Sequence, residues 1–343
     1  MLRIAVALAI VMTPLAAQTP GERFRAATGA PGVGIALSVG AEVRIETAGL
    51  RSVGGDPIAD EDAWHLGSLT KSMTALLIAR AVEAGTVDWE DAVAPDLSLE
   101  QLLTHTGGVP TDLPLFHRLR YLAFPGTPRS DRARYAAWVL AQSRPTKPGF
   151  AYSNAGYVLA AHHLESVTGR AWETAIIKEV FAPLGLSSAG FGPPDHIQGH
   201  SRGRSGDLVP ADPQSRFSDN IVAMNPAGRV HMSLSDLTVY LQAVRDRSDV
   251  LVLPATWTRL LTPSVEASYA MGWNVTPSGF AHAGSNTLWY ATVFVWPELD
   301  ATLVLTANAG PSEAVEAAFE ETARALQTAL LGGAGLSAFD AFP

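Results

Sequence analysis

Short runs typical of β-strands lie near both ends of the chain, and a long helical stretch separates them. Residues 34–39 and 43–47 are rich in β-branched and apolar positions and predict a hairpin. Four runs near the other end alternate polar and apolar residues or are continuously apolar, with turn residues between them: 269–275, 280–282, 289–296 and 301–306. These runs predict one antiparallel sheet shared by the two chain ends.

The pattern between these ends is helical. After Ser68 the apolar residues recur at the spacing of one helix face, namely Met73, Leu76, Leu77 and Val82, and Gly85 ends the segment. Residues 86–260 alternate between helices and loops rich in proline and glycine, and residues 312–331 predict an amphipathic closing helix. The predicted fold class is α+β: an antiparallel β-sheet flanked by helices and built from both chain ends, with an inserted, mainly helical domain.

The same pattern predicts where the domains begin and end. Residues 18–67 plus 220–343 are assigned to the α/β sheet domain, and residues 68–219 to the mainly helical domain. The sequence contains no internal repeat and no linker long enough to separate independent domains.

The first 17 residues have the pattern of a signal peptide. Arg3 supplies a charged start, residues 4–12 are apolar, and small residues lead to a cleavage site after Ala17. The apolar stretch is too short to cross a bilayer, which takes about 20 residues; the alternative interpretation is a buried N-terminal strand or helix. The prediction is an exported, periplasmic protein whose mature chain has no membrane-spanning segment.

Composition narrows the function classes. The chain has 343 residues, of which 47% are hydrophobic and 17% charged, so it has enough apolar material for a large core and is not a disordered protein. A net charge of -9 argues against nucleic acid or an anionic membrane as the main partner. Cysteine is absent, which excludes disulfides, thiolate catalysis and thiolate metal ligands. The oligomeric state is left open.

A serine and a lysine lie three residues apart where a predicted strand passes into a helix. Lysine is scarce, and Lys71 is the only one that lies three positions after a serine, Ser68. Residues at i and i+3 share a helix face, so the amine can reach the hydroxyl. A desolvated lysine can lose its proton near neutral pH and activate the serine as a nucleophile. The alternative is an ordinary solvent-facing lysine.

Two further segments offer groups that could act with this pair. Tyr152 and Asn154 lie in a predicted loop before an apolar helix, and they supply a phenol for proton transfer and an amide for holding a substrate group. His282 follows a predicted strand, and Gly284 leaves room for a substrate at the strand edge, where backbone N–H groups can bind an oxyanion. Taken alone, each of these segments is more often structural.

Taken together, these segments resemble the penicillin-recognising serine hydrolases, the β-lactamase-like superfamily of class C β-lactamases, D,D-carboxypeptidases and family VIII esterases. The resemblance extends over about residues 24 to 330 and rests on ordered stretches: WHLGSLTKSMTALL around Ser68, LLTHTGG at 102–108, KPGFAYSNAGYVLA at 147–160, NPAGRVHMSLSDL at 225–237, YAMGW at 269–273 and HAGSNTLWYATVFVWPELDATLVLTAN at 282–308. It implies an active site in the cleft between the two domains.

The resemblance also implies roles for individual residues. Ser68 corresponds to the nucleophile, Lys71 to the amine beside it, Tyr152 to the tyrosine that passes a proton to the leaving group, and Asn154 to the asparagine that orients the lysine and the substrate. The backbone N–H groups of Ser68 and Ser285 would form the oxyanion hole. Acyl transfer would then proceed through an acyl-enzyme without metal or cofactor. Either Lys71 or Tyr152 could be the general base. The implied substrate is a small molecule or a peptidoglycan-like compound.

The sequence departs from this family at His282. β-Lactamases and carboxypeptidases usually have a lysine there, which attracts the substrate carboxylate, whereas a histidine with an ordinary pKa of about 6.5 is largely neutral at pH 7 and keeps only a hydrogen-bond donor. His-x-Gly is similar to esterase and aminopeptidase-like relatives. We therefore expect an ester or amide hydrolase. β-Lactamase, D,D-carboxypeptidase, D-aminopeptidase-like peptidase and a non-catalytic penicillin-binding sensor remain alternatives.

Other residues that could carry chemistry are better explained as structural. Residues 199–203 match G-x-S-x-G, but the predicted strand and helix that this motif needs are missing, so a polar loop is expected. Asp195, His196 and His200 have no helix to align them as metal ligands. His105 is expected to form hydrogen bonds in a loop. We expect the His162-His163 pair to be half-buried packing residues of a helix, and the aromatic residues Trp289 and Tyr290 to lie in the core.

Overall fold

The computed structural model describes residues 18–145, 149–264 and 268–341. The signal peptide predicted at residues 1–17 lies outside the described residues, as do Lys147 and Pro148 of the KPGFAYSNAG stretch. In the described part of the chain, no helix is both long and apolar enough to cross a membrane.

The strands are short except near the two chain ends. In the described residues they are, in chain order, β1 (Gly32–Val39), β2 (Glu42–Gly49), β3 (Ala63–His65), β4 (Ala92–Ala94), β5 (Leu97–Ser98), β6 (Gly190–Phe191), β7 (His200–Arg202), β8 (Leu208–Pro210), β9 (Val230–Ser233), β10 (Tyr269–Ala270), β11 (Trp273–Thr276), β12 (Gly279–Ser285), β13 (Tyr290–Trp296) and β14 (Ala301–Ala307).

The helices lie mainly between these two groups of strands. They are α1 (Pro20–Thr28), α2 (Thr70–Glu83), α3 (Leu99–Leu103), α4 (Leu115–Ala123), α5 (Pro128–Leu140), α6 (Asn154–Thr168), α7 (Trp172–Ile176), α8 (Ala182–Leu184), α9 (Asn225–Gly228), α10 (Leu234–Arg245), α11 (Pro254–Leu261) and α12 (Glu313–Leu331). Short 3-10 segments also occur, and one of them, Gly67–Leu69, joins β3 to α2.

One seven-stranded sheet contains strands from both chain ends, in the order β10-β11-β12-β13-β14-β1-β2. β1 pairs antiparallel with β14 on one side and with β2 on the other. The predicted α+β fold with an antiparallel sheet shared by the two ends is therefore confirmed. The predicted single strand at 269–275 is wrong, because the chain turns back at Gly272, where φ is +86°, and forms β10 and β11.

The sheet is covered on both faces, so β1 is buried on both sides. Val33, Ile35 and Leu37 belong to a cluster with α1 and α12, which includes Phe319. The alternate residue Ala36 belongs to the larger cluster on the opposite face, which extends through the helical region. The domain boundaries at 67/68 and 219/220 stay a prediction.

Helix α2 lies inside the larger cluster. The sequence predicts one apolar face, whereas residues 70–79 are buried on all sides, including the polar Thr70, Lys71, Ser72 and Thr74. Because a buried polar group needs a hydrogen-bond partner, the start of this helix has to be surrounded by polar groups from elsewhere in the chain. Those groups form the site described next.

Candidate active site

A tight turn before α2 carries Ser68. Gly67 has φ of +53°, a conformation that suits glycine, and it lets the chain turn from β3 into the helix. The hydroxyl of Thr70 donates to the Gly67 carbonyl at 2.7 Å and accepts from the backbone N–H of Val230 at 3.1 Å, which fixes the turn. Ser68 therefore lies beside the N-terminus of α2, where the helix dipole favours negative charge on its oxygen.

Lys71 is fully buried and contacts three oxygens. Its Nζ lies 3.0 Å from Ser68 Oγ, 2.7 Å from Asn154 Oδ1 and 2.6 Å from the Ala227 carbonyl oxygen. Burial lowers the pKa of Lys71 to about 7, although the charge of Asp112 opposes this shift. The amide and carbonyl oxygens can only accept hydrogen bonds. A neutral Lys71 therefore donates to these two oxygens and has its lone pair available for the Ser68 hydroxyl.

The Tyr152 hydroxyl lies in the same space. It is buried and has no hydrogen bond of normal geometry to any described residue. Its ring centroid is 4.9 Å from Lys71 Nζ. Burial raises the pKa of Tyr152 above its usual value, and the nearby Ser68 hydroxyl offsets only part of this. The phenol therefore keeps its proton at neutral pH and can donate it.

His105 holds the Tyr152 segment in place. Its carbonyl oxygen accepts from the backbone N–H of Ala151 at 2.9 Å, and its Nδ1 accepts from that of Ser153 at 3.1 Å. Burial, with smaller contributions from Lys71 and His282, lowers the pKa of His105 to about 2, so the ring is neutral. The structure thus shows the loop hydrogen bonding predicted for His105, and its ring centroid lies 4.3 Å from that of Tyr152.

Asn154 connects Lys71 to a carboxylate that the sequence analysis missed. Asn154 is the first residue of α6, and its Nδ2 donates to Asp112 Oδ2 at 3.3 Å. Asp112 Oδ1 accepts from the Tyr135 hydroxyl at 2.8 Å and from the backbone N–H of Leu113 at 2.7 Å. Asp112 lies four residues beyond the LLTHTGG stretch, in a loop that has no recognisable pattern.

His282 lies on β12 near Lys71, but its ring does not have the free hydrogen-bond donor that the sequence predicts. Burial, with a smaller effect of Lys71, lowers its pKa to about 3, so the ring is neutral. Its Nδ1–H donates to the Ala283 carbonyl oxygen at 2.7 Å, and Nε2 accepts from the Tyr269 hydroxyl at 3.3 Å. The hydrogen-bond donor expected for the substrate is therefore already used within the protein.

The backbones next to Ser68 and Ser285 meet directly. A Cβ on Gly67 would lie 2.3 Å from the Ser285 nitrogen, and a Cβ on Gly284 would lie 2.0 Å from the Leu66 carbonyl oxygen and 2.8 Å from the Ser68 nitrogen. The Ser285 hydroxyl donates to the Trp289 carbonyl oxygen at 2.6 Å, so the side chain of Ser285 is already bonded within the protein. We call the backbone N–H groups of Ser68 and Ser285 the candidate oxyanion site.

The other sequence candidates lie elsewhere. The expected polar loop at 199–203 is wrong, since His200–Arg202 forms β7 and pairs with β8. His200 is buried, with hydrogen bonds to Asn308 O and Val53 N. Among the described residues, no three histidine, aspartate or glutamate side chains come together as a metal site would require. Trp289 stacks on His65 and Tyr290 packs on Phe319, as expected of core residues.

The chain is similar to known proteins over most of its length. A family model described as Beta-lactamase matches residues 21–327. Penicillin-binding protein 4 of Amycolatopsis lactamdurans is 27% identical over 175 residues, which cover 46% of this chain and 43% of that protein. The chain spans about half the length of the curated relatives that it matches first.

Two solved structures have the same fold. The octameric penicillin-binding protein homologue from Pyrococcus abyssi superposes with a TM-score of 0.72 at 25% identity, covering 91% of this chain and 75% of that chain. The D-stereospecific amidohydrolase from Streptomyces has a TM-score of 0.66 at 21% identity, covering 87% of this chain and 96% of that chain.

Proposed function

Because the chain belongs to the β-lactamase family, we propose that it is a serine hydrolase that forms an acyl-enzyme on Ser68 and acts on an ester or amide. The observation that carries the proposal is the position of Lys71. This buried amine, with a pKa of about 7, lies 3.0 Å from Ser68 Oγ, and its two other contacts can only accept hydrogen bonds.

Acylation begins with neutral Lys71. Lys71 Nζ takes the proton of Ser68 Oγ, which forms a bond to the substrate carbonyl carbon. The negative charge that develops on the carbonyl oxygen is stabilised at the candidate oxyanion site. Lys71 is preferred to Tyr152 as the general base, because the pKa of Tyr152 is raised and the phenol would have to be ionised first.

The leaving group then departs with a proton. Tyr152 donates its phenolic proton to the leaving oxygen or nitrogen as the bond to the carbonyl carbon breaks, and the proton held by Lys71 restores the phenol. In deacylation a water molecule attacks the ester of Ser68 while its proton passes to Lys71. Lys71 returns this proton to Ser68 Oγ as the bond to the acyl carbon breaks and the acid product leaves, so no net proton remains on the enzyme.

The substrate class follows from the neutral state of His282. A carboxylate placed against His282 would meet a neutral ring whose two nitrogens already have partners. We therefore favour esters and amides without a carboxylate at this position. The D-stereospecific amidohydrolase among the structures of this fold is compatible with an amide substrate.

The second candidate is a penicillin-binding D,D-carboxypeptidase or β-lactamase. It is supported by the names of two curated relatives, which are penicillin-binding proteins, and by the presence of Ser68, Lys71, Tyr152 and Asn154 together. Export to the periplasm also remains part of the proposal. It rests on the signal-peptide pattern of residues 1–17.

Intact-mass spectrometry tests the proposal. We would incubate the full chain with a fluorophosphonate, with benzylpenicillin, and with a panel of activated esters and amino-acid amides. The fluorophosphonate should add once, and Ser68→Ala should abolish both the adduct and all turnover. Ser201→Ala, which removes the serine of the G-x-S-x-G match, is the matched control and should change neither. Activity retained by Ser68→Ala would refute the mechanism.

The penicillin reaction separates the two candidates. Ester or amide turnover without a lasting penicillin adduct or penicilloate would support our first proposal. A stable penicillin adduct on Ser68, or rapid formation of penicilloate, would favour the second candidate instead.

A further inference from the structure

A buried carboxylate, Asp219, joins the two chain segments that form the candidate oxyanion site. Its side chain is 3% exposed. Oδ2 accepts from His65 Nε2 at 3.1 Å and from Arg229 Nε at 2.8 Å. Oδ1 accepts from Asn286 Nδ2 at 2.9 Å and from the backbone N–H of Asn220 at 2.7 Å. Burial would raise the pKa of Asp219, but the hydrogen bonds from His65 and Asn286 and the charge of Arg229 hold it well below its usual range.

On one side, His65 links Asp219 to the turn that carries the nucleophile. His65 ends β3, its side chain is fully buried, and the backbone N–H of Gly67 donates to its Nδ1 at 3.2 Å. Because Nδ1 accepts this hydrogen bond, Nε2 carries the ring proton and donates to Asp219. The His65 ring therefore forms a hydrogen bond with Gly67 and with Asp219 at the same time.

On the other side, Asn286 links Asp219 to the end of β12. Its Nδ2 donates to Asp219, and its Oδ1 accepts from the backbone N–H groups of Leu288 at 3.1 Å and Trp289 at 3.3 Å. This amide fixes the turn that follows Ser285. The Trp289 ring also stacks on the His65 ring, with centroids 5.2 Å apart and planes at 20°, so the two segments meet a second time.

We propose that Asp219, acting through His65 and Asn286, is a positioning residue that holds the backbone N–H groups of Ser68 and Ser285 at a fixed separation for the oxyanion. The inference rests on the proposed function. Oxyanion stabilisation requires donors that are already in place when the charge develops, and loss of one donor slows such reactions by about 100- to 1,000-fold. A donor that is displaced but still present should slow the reaction by a smaller factor than a donor that is lost.

The alternative is that Asp219 only stabilises the fold. Removal of any buried, hydrogen-bonded carboxylate lowers stability. Asp131 provides a matched case, because it is also fully buried and accepts from the Gly126 backbone N–H at 3.0 Å and from Arg134 at 2.5 Å, but it contacts neither His65 nor Asn286. The two explanations differ in whether binding of a tetrahedral, anionic adduct is affected.

The experiment breaks each link in turn in the full chain. Asn286→Asp keeps the acceptor for the turn but places a second carboxylate against Asp219. Adding Asp219→Asn to that variant restores a donor between the two side chains. His65→Asn keeps an acceptor near Gly67 and loses the contact with Asp219, whereas His65→Gln does the reverse. Asp131→Asn is the stability control.

Three quantities are measured for each variant. They are kcat and KM for an activated ester, the affinity for a boronic acid that forms a tetrahedral adduct with Ser68, and the Tm. Asn286→Asp and both His65 variants should lower kcat and boronate affinity together by about 10- to 100-fold with little change in KM. The double variant should recover most of the loss, and Asp131→Asn should lower only the Tm.

The outcomes separate this inference from the proposed function. Variants that lose Tm but keep wild-type kcat and boronate affinity would overturn the positioning role, as would a double variant without recovery. If a fluorophosphonate fails to label wild-type Ser68 at all, the proposed function is wrong and the inference falls with it. If Asn286→Asp does not fold, the His65 pair still decides the question.

Discussion

Replacement of Asp112 by asparagine tests whether the surroundings of Lys71 set its charge. The side-chain amide of Asn154 lies between Lys71 and Asp112. It accepts from Lys71 at 2.7 Å and donates to Asp112 at 3.3 Å. Burial lowers the pKa of Lys71 to about 7, and the negative charge of Asp112 acts in the opposite direction. Asp112→Asn removes that charge and keeps the shape, so the pKa of Lys71 should fall further.

The size of the effect follows from Coulomb's law. Two hydrogen bonds and the amide between them separate the charges by on the order of 7 Å. At an effective dielectric constant of about 20, the interaction is about 2.4 kcal/mol, or about 1.7 pKa units. This value is an upper limit, because Arg118 lies 4.0 Å from the Asp112 carboxylate and offsets part of its field. We expect a decrease in the pKa of Lys71 of about one unit.

The assay is the pH profile of kcat/KM for an activated ester, from about pH 5 to about pH 9. Because neutral Lys71 accepts the Ser68 proton, the wild-type rate should fall about tenfold per unit below about pH 7. In Asp112→Asn this acid limb should move down by about one unit, even if the plateau falls because Asn154 is less well held. Asp236→Asn, whose carboxylate binds Ser188, is the control and should leave the limb in place.

A second variant should shift the limb in the opposite direction. Asn154→Asp places a carboxylate where the amide oxygen lies, 2.7 Å from Lys71 Nζ. An opposite charge in contact raises the pKa of an amine, here by about two units, so acylation at pH 7 should fall and recover at higher pH. A limb that stays in place in both variants, or that shifts the same way in both, would refute the assignment of Lys71 as the base.

The remaining predictions concern Gly67, Gly85 and His282. Gly67→Ala should reduce kcat/KM by at least about 100-fold, because its Cβ would lie 2.3 Å from the Ser285 nitrogen. Gly85→Ala, with φ of +66° but open space, should cost about 1 kcal/mol in urea unfolding and keep activity. The pKa of His282 is about 3 in the folded protein and about 6.5 when unfolded, so the free energy of unfolding falls below about pH 6.5. Between pH 7 and pH 5, His282→Gln should therefore lose about 2 kcal/mol less free energy of unfolding than the wild type. An equal loss in the two proteins would contradict this prediction. His282→Lys should raise penicillin acylation relative to ester hydrolysis, and an unchanged ratio would argue against His282 as the specificity residue.

The sheet could be predicted because its strands carry their pattern locally. β1 and β14 are mainly apolar and pair in a simple register, from Val33 with Ala307 to Val39 with Ala301. The division between β10 and β11 was missed because it depends on the positive φ of one glycine, Gly272. The strand at His200–Arg202 was missed because its residues are polar and do not alternate with apolar ones.

The site was predictable where its residues are close in sequence. Ser68 and Lys71 share one helical turn, so spacing alone brings them together. The contacts that hold the site are long-range: Asn154 is 42 residues from Asp112, and His65 is 154 residues from Asp219. No periodicity encodes such pairs, because they are set by how the elements pack. The hydrogen bonds of His282 likewise depend on where Tyr269 lies after the chain has folded.

The charges of the site favour a single titrating group. Lys71, His105 and His282 are close enough that a positive charge on Lys71 lowers the pKa of both histidines. With pKa values of about 7, 2 and 3, Lys71 is the one of these three groups that changes protonation state near neutral pH. A lysine at 282, which the resemblance leads one to expect, would add a second positive charge beside Lys71. With histidine at this position, a substrate carboxylate would meet no lysine side chain there, and Lys71 is spared a repulsion that would lower its pKa further.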